Sequence, residues 1–89
     1  MLASRKFAFV GKHEKTKQDV LNGASNANIR FDDICELLSH LGFKKRVKGD
    51  HHIFSKSGVF EIINLQPVGG KAKSYQVRQV KMLINRYNL

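Results

Sequence analysis

The sequence predicts a small α+β domain in which two amphipathic helices cover one face of a three-stranded antiparallel sheet, with a short extra helix in front. Three observations carry this expectation. Residues 31–41 and 74–87 repeat apolar side chains at helical spacing. Between them lie three short stretches of strand character, residues 43–48, 51–55 and 59–66, separated by Gly49-Asp50 and by Lys56-Ser57-Gly58, turns short enough to join antiparallel neighbours. The chain has 89 residues, and a chain of that order buries only about 60% of its unfolded surface, which leaves room for one core.

In chain order, residues 1–11 (MLASRKFAFVG) carry only positive charge. Their basic and apolar parts are too short for a secretory signal, so a tail is expected rather than a targeting presequence. In residues 12–21, Thr16, Val20 and Leu21 form a thin apolar stripe among Lys and Gln, and Asn22-Gly23 can stop a short, marginal helix. Residues 24–28 are Ser/Asn/Ala-rich and read as a connection. These first 28 residues form the tail and short helix, and residues 29–89 form the main domain.

The main domain opens on the strongest periodic signal, Phe31, Ile34, Leu37, Leu38 and Leu41. Asp32, Asp33 and Glu36 stand near its start, where the helix dipole favours negative charge, and Gly42 ends it. After the three strands, Pro67 and the loop Val68-Gly69-Gly70 lead to Ser74, the expected N-cap. Val77, Val80, Ile84 and Tyr87 then mark the inner face of the last helix. With both helices on one side, the other sheet face stays open, and it is the place to look for function.

Charge narrows the partners. Sixteen Lys+Arg against seven Asp+Glu give a formal +9, a field that favours a polyanion or an acidic protein. The longest unbroken apolar run is residues 7–10, far below the roughly 20 residues of a membrane-spanning helix, so no membrane partner is expected. A single cysteine, Cys35, allows neither an intramolecular disulfide nor a four-thiolate zinc site and fits a reducing cytoplasm, the expected location.

The most informative hexapeptide is GDHHIF, residues 49–54. Adjacent residues on a strand point to opposite faces, so only one of His51 and His52 can face the helices. Phe54 is the natural core residue, which puts His52 on its side and His51 on the open side with Ile53 and Ser55. An imidazole titrates near neutral pH and can take a proton from a ribose 2′-hydroxyl or give one to a leaving 5′-oxygen. The same pattern also fits a polar residue on a solvated strand.

The basic residues fall into two groups, Lys44, Lys45, Arg46 and Lys48 on the first strand, and Lys71, Lys73, Arg78 and Lys81 around the last helix. Both can reach phosphate, and backbone N–H groups at a helix start add to Lys71 and Lys73. Gly69-Gly70-Lys71 lacks the spacing of a nucleotide-hydrolase phosphate loop. Cys35, His40, His51 and His52 lack paired ligand spacing and would have to converge from a helix and both sheet faces, so no metal or other cofactor is expected. Helical periodicity makes Cys35 a buried or half-buried residue and offers no Cys-His hydrolase.

Residues 31–89, about two-thirds of the chain, resemble the HicA family of small toxins from bacterial toxin–antitoxin pairs. The resemblance is carried by FDDICELLSHLGF, GDHHIF, the strand ending in NLQP, the GGKAK loop and SYQVRQVKMLINRYNL, in that order. KHEKTKQDVLNG is similar to an N-terminal segment found in a subset of the family. The resemblance implies a double-stranded-RNA-binding-domain-like fold, metal-independent and ribosome-independent cleavage of mRNA, and a HicB-like antitoxin that covers the active site. It maps the family's catalytic histidine, which follows Gly-Ser, onto His51; here Asp50 stands in place of that Ser. A carboxylate there would repel phosphate or, alternatively, orient His51 and raise its pKa.

The combined expectation is an RNA-cleaving toxin with His51 as its catalytic residue, and Lys44, Arg46, Lys48, Lys71, Lys73 and Arg78 as its RNA-binding residues. Two other classes fit the same charge. One is a non-catalytic double-stranded-RNA-binding module, and the other a protein whose positive face docks an acidic partner.

Overall fold

In the computed structural model the chain is described over residues 11–23 and 29–89. The basic N-terminal stretch at residues 1–10 and the connection at 24–28 lie outside the described residues. The elements are α1 (Lys12–Asn22), α2 (Phe31–His40), β1 (Lys44–Lys48), β2 (His51–Lys56), β3 (Val59–Leu65) and α3 (Ser74–Tyr87). This is the expected α-β-β-β-α order preceded by a short helix.

Helix α2 forms where the apolar spacing is densest and buries Phe31, Ile34, Cys35, Leu37 and Leu38. Asp32 and Asp33 occupy its first turn, on the positive end of the helix dipole. The helix ends at Gly42, whose φ of +100° is a backbone conformation that residues with a Cβ rarely adopt. Helix α1 has a weak stripe, and only Thr16 and Val20 are buried. Val20 is fully enclosed in the common core and anchors α1. Lys12 Nζ also reaches Asp33 at 3.3 Å and Glu36 at 3.2 Å on α2. Those pairs are exposed and contribute little, so α1 is held chiefly by packing.

The sheet has the order β1-β2-β3 and is antiparallel throughout. Lys48 pairs with His51 across the two-residue turn Gly49-Asp50. Gly49 takes φ +61°, the left-handed conformation that two-residue hairpins require to match strand twist. Phe54, Ile63 and Leu65 point from the sheet into the core, where they meet α2 and the inner face of α3.

Helix α3 begins one residue earlier than a Ser74 cap would allow. Ser74 is its first helical residue and Lys73 occupies the cap position. The stabilising contact is a reach-back: Gln76 Oε1 accepts the Lys73 N–H at 3.0 Å. Gln76, only 1% exposed, thereby satisfies one of the orphan donors of the first turn. At the far end, the Tyr87 hydroxyl accepts the Phe60 N–H at 3.2 Å and donates to Glu61 Oε1 at 2.6 Å. Arg86 pairs with the same carboxylate, so the end of α3 fastens the β3 edge of the sheet.

Two measurements test this packing. Phe54→Ala is expected to cost about 3–5 kcal/mol in urea denaturation, and Val20→Ala about 2 kcal/mol, from lost transfer energy plus a cavity. An unchanged Val20→Ala midpoint would mean that α1 is not part of the folded unit. The Tyr87 hydroxyl, with Arg86 assisting, holds the Glu61 carboxyl below its ordinary value of 4.5. The folded pKa is depressed, so this contribution is complete above the unfolded value and is lost as pH falls through the folded one. Tyr87→Phe is expected to raise the Glu61 titration midpoint in NMR and to weaken the acid limb of stability; an unmoved midpoint would refute the assignment.

Candidate nucleic-acid interface and catalytic histidine

Strand alternation, counted outward from buried Phe54, Ile63 and Leu65, defines the open face. It carries Lys44, Arg46 and Lys48 from β1, His51, Ile53 and Ser55 from β2, and Phe60, Ile62 and Asn64 from β3. None of these positions holds a carboxylate. His52 turns the other way and is half-buried, edge-on to Phe31 with ring centroids 4.9 Å apart and an interplanar angle of 80°.

His51 is exposed, and its Nδ1 lies 3.0 Å from Asn64 Oδ1. Asn64 is opposite Ile53 in the β2–β3 register, one diagonal step from His51. An amide oxygen can only accept, so this contact suits the neutral Nδ1–H tautomer, in which Nε2 presents a free lone pair. Lys48, directly opposite His51, and Arg46, opposite Ile53, add positive charge on the same face. The group that orients His51 is therefore the Asn64 amide, not the Asp50 carboxylate. Sequence reading did not single out Asn64. The available signal was alternation, which places Asn64 between inward-facing Ile63 and Leu65 and hence on the open face.

The other cations lie elsewhere. Lys71 is in the loop before α3, bridged to Arg30 and Val68, and lines a groove with Arg30, His52 and Gly70. That loop is tied to the start of α2 by Phe31 N–H to Gly70 O at 3.0 Å and Ala72 N–H to Ile29 O at 2.9 Å. Lys73 stands at the start of α3 with Nζ 5.7 Å from the centre of the Tyr75 ring, and Arg78 is exposed one turn later. Lys81 is half-buried and extends over Gly23 at the end of α1. Thus Lys44, Arg46 and Lys48 share the face of His51, whereas Lys71, Lys73 and Arg78 belong to the loop and helix layer.

A cavity of about 570 Å³ on the helix side of the sheet is lined by His13, Cys35, His40, Lys45 and His52, among others. His13 and His40 stack within it at 4.5 Å. Burial pushes the Cys35 thiol up to about 11, so it is protonated at neutral pH and a poor nucleophile. Among the described residues, no group of three or more His, Cys, Asp or Glu side chains is arranged to hold a metal ion.

Comparison of the chain with known family models, with curated protein sequences and with solved structures finds no significant match. The functional reading therefore rests on the residues, their geometry and the resemblance that residues 31–89 carry.

Asn64→Ala is expected to release the Nδ1 proton and shift the neutral imidazole of His51 toward the Nε2–H tautomer, read from its ring ¹⁵N shifts. Unchanged ¹⁵N shifts would show that Asn64 does not set the tautomer.

Proposed function

We propose that this protein is a cytoplasmic, metal-independent endoribonuclease that cleaves mRNA, the toxin of a type II toxin–antitoxin pair whose HicB-like antitoxin covers the open sheet face. The observation that supports this reading most is His51 itself: exposed, oriented by Asn64 through Nδ1, and set opposite Lys48 on a face without carboxylates. In the proposed reaction His51 Nε2 accepts the proton of a ribose 2′-hydroxyl. The 2′-oxygen forms a bond to the adjacent phosphorus while the bond from phosphorus to the 5′-oxygen breaks. The products are a 2′,3′-cyclic phosphate and a 5′-hydroxyl, whose proton comes from the imidazolium or from water. Lys48 and Arg46 stabilise charge developing on the phosphoryl oxygens.

A second reading has its own support. Lys71, Lys73 and Arg78 stand apart from His51 around the start of α3, which suits a module that grips duplex RNA through its backbone without cutting it. In that case replacing Lys71 and Lys73 by Ala would weaken duplex binding and flatten its salt dependence, while His51 would be dispensable.

The deciding measurement is cleavage of an RNA oligonucleotide by wild type and His51→Ala in excess EDTA. The wild type is expected to cut RNA and to leave DNA, which has no 2′-hydroxyl, untouched. His51→Ala is expected to lose cleavage by at least the 10²-fold typical of general acid–base catalysis, with RNA affinity within a few-fold and the fold intact. Full cleavage by folded His51→Ala would refute the assignment. Activity lost in EDTA and restored by zinc or magnesium would move the chemistry to metal-assisted hydrolysis.

A further inference from the structure

The open sheet face has a second property that the histidine does not explain: its side chains are sorted by strand. Edge strand β1 contributes only cations, Lys44, Arg46 and Lys48, whereas β3 contributes Phe60, Ile62 and Asn64. Phe60 is 92% exposed and Ile62 62%. Burial in a core accounts for neither, and an aromatic ring left that bare on an edge strand invites a partner. We infer that this face is a track for single-stranded RNA, with phosphates along the β1 cations and a base stacked on Phe60, leading to the scissile phosphate at His51. The inference rests on the nuclease reading and assigns it a substrate conformation and a base-binding subsite.

The geometry suits one strand rather than two. From β1 to β3 is two strand spacings, about 9.6 Å, a width over which a nucleotide can set its phosphate on one side and its base on the other. Within a duplex the bases are stacked inward and phosphates flank both sides, which would leave Phe60 and Ile62 against charged backbone. In a single strand the base faces are free to stack on an aromatic ring, and such stacking tolerates any sequence. Phe60 lies four residues along β3 from Asn64, at most about 13 Å at about 3.3 Å per residue, beyond a register irregularity of the β2–β3 pair between Phe54 and Lys56. The stacked base is therefore a few nucleotides from the site of cleavage. The platform is also held in place, because the Phe60 N–H donates to the Tyr87 hydroxyl, itself bonded to Glu61. The face lacks carboxylates and bears a row of cations beside its apolar row, a charge pattern complementary to a polyanion.

The test uses His51→Ala protein, which cannot consume the probe, and 2-aminopurine-labelled oligonucleotides of one sequence as single-stranded RNA, single-stranded DNA and duplex RNA. Both single strands are expected to bind with quenched 2-aminopurine fluorescence. Adding Phe60→Ala is expected to remove the quenching and weaken single-strand binding about 5- to 140-fold at an unchanged salt slope. Duplex binding should change less than twofold, and Phe60→Trp should retain the quenching. Single-strand affinity within twofold of the parent in Phe60→Ala would overturn the inference, as would an equal loss for duplex. A concentration-dependent dimer that Phe60→Ala dissociates, with RNA binding unchanged, would give the face to a second copy of the chain. Binding of polyglutamate that depends on Phe60 when RNA binding does not would give it to an acidic protein. If wild type fails to cleave but Phe60-dependent quenching persists on RNA and DNA, the nuclease reading fails and the track stands; the converse result removes only the track.

Discussion

Burial of Phe54 is the constraint on which the rest of the molecule depends. Its ring is fully enclosed at the centre of β2, opposite Ile63 and beneath the helices. Because side chains alternate along a strand, that burial also sends His52 toward Phe31 and His51 outward. A slip of one residue would bring His51 into the apolar layer and leave Phe54 in water, reversing both faces at once. The hairpin turn at Gly49-Asp50 enforces the same register from the other side by pairing Lys48 with His51. Packing energy and turn geometry thus agree on where the imidazole stands.

The two layers divide the work. Apolar residues of all three helices converge on one sheet face, and among the described residues the open face is left to cations, an imidazole, an amide and a small apolar row. β1 is exposed at every position, which would invite pairing with other chains if it were apolar. Its Lys-Lys-Arg-Val-Lys sequence discourages that through charge repulsion, and under the proposed function the same cations would contact phosphate. The opposite edge is protected differently, since Tyr87 and Arg86 at the end of α3 tie down Phe60 and Glu61. The loop at Val68 to Lys71 joins the starts of α2 and α3, so the cations of that layer are held on a fixed scaffold.

Much of this was legible in the sequence because it depends on local periodicity. α2 and α3 bury most of the residues that their spacing marks, with Leu41 and Tyr87 only partly covered, and the partition of His51 and His52 follows from alternation alone. α1 was only faintly visible, since Thr16 and Val20 make a narrow stripe and its stability comes from tertiary packing. Ser74 looked like a cap because its residue type is right, yet the buried amide of Gln76 does that work from inside the helix. Asn64 was hidden for another reason: its partner is 13 residues away in sequence, so the contact exists only once the register of β2 and β3 is set. The sorting of the open face into a cationic row and an apolar row has the same origin, because it is a property of strand order and not of any one segment.

The nature of the His51 partner bears on the proposed chemistry. A carboxylate bonded to Nδ1 would raise the basicity of the ring but add a negative charge beside the approaching phosphodiester, whose own charge increases in the transition state. An amide oxygen fixes the same tautomer and ring orientation without that charge. In the proposed reaction the cations on the same face would stabilise the phosphoryl oxygens. Such an arrangement places most of the electrostatic contribution on Arg46 and Lys48 and leaves His51 as the group that moves the proton. Charge reversal at Arg46 should therefore harm cleavage more than it harms the fold, since that side chain is exposed and takes no part in the core.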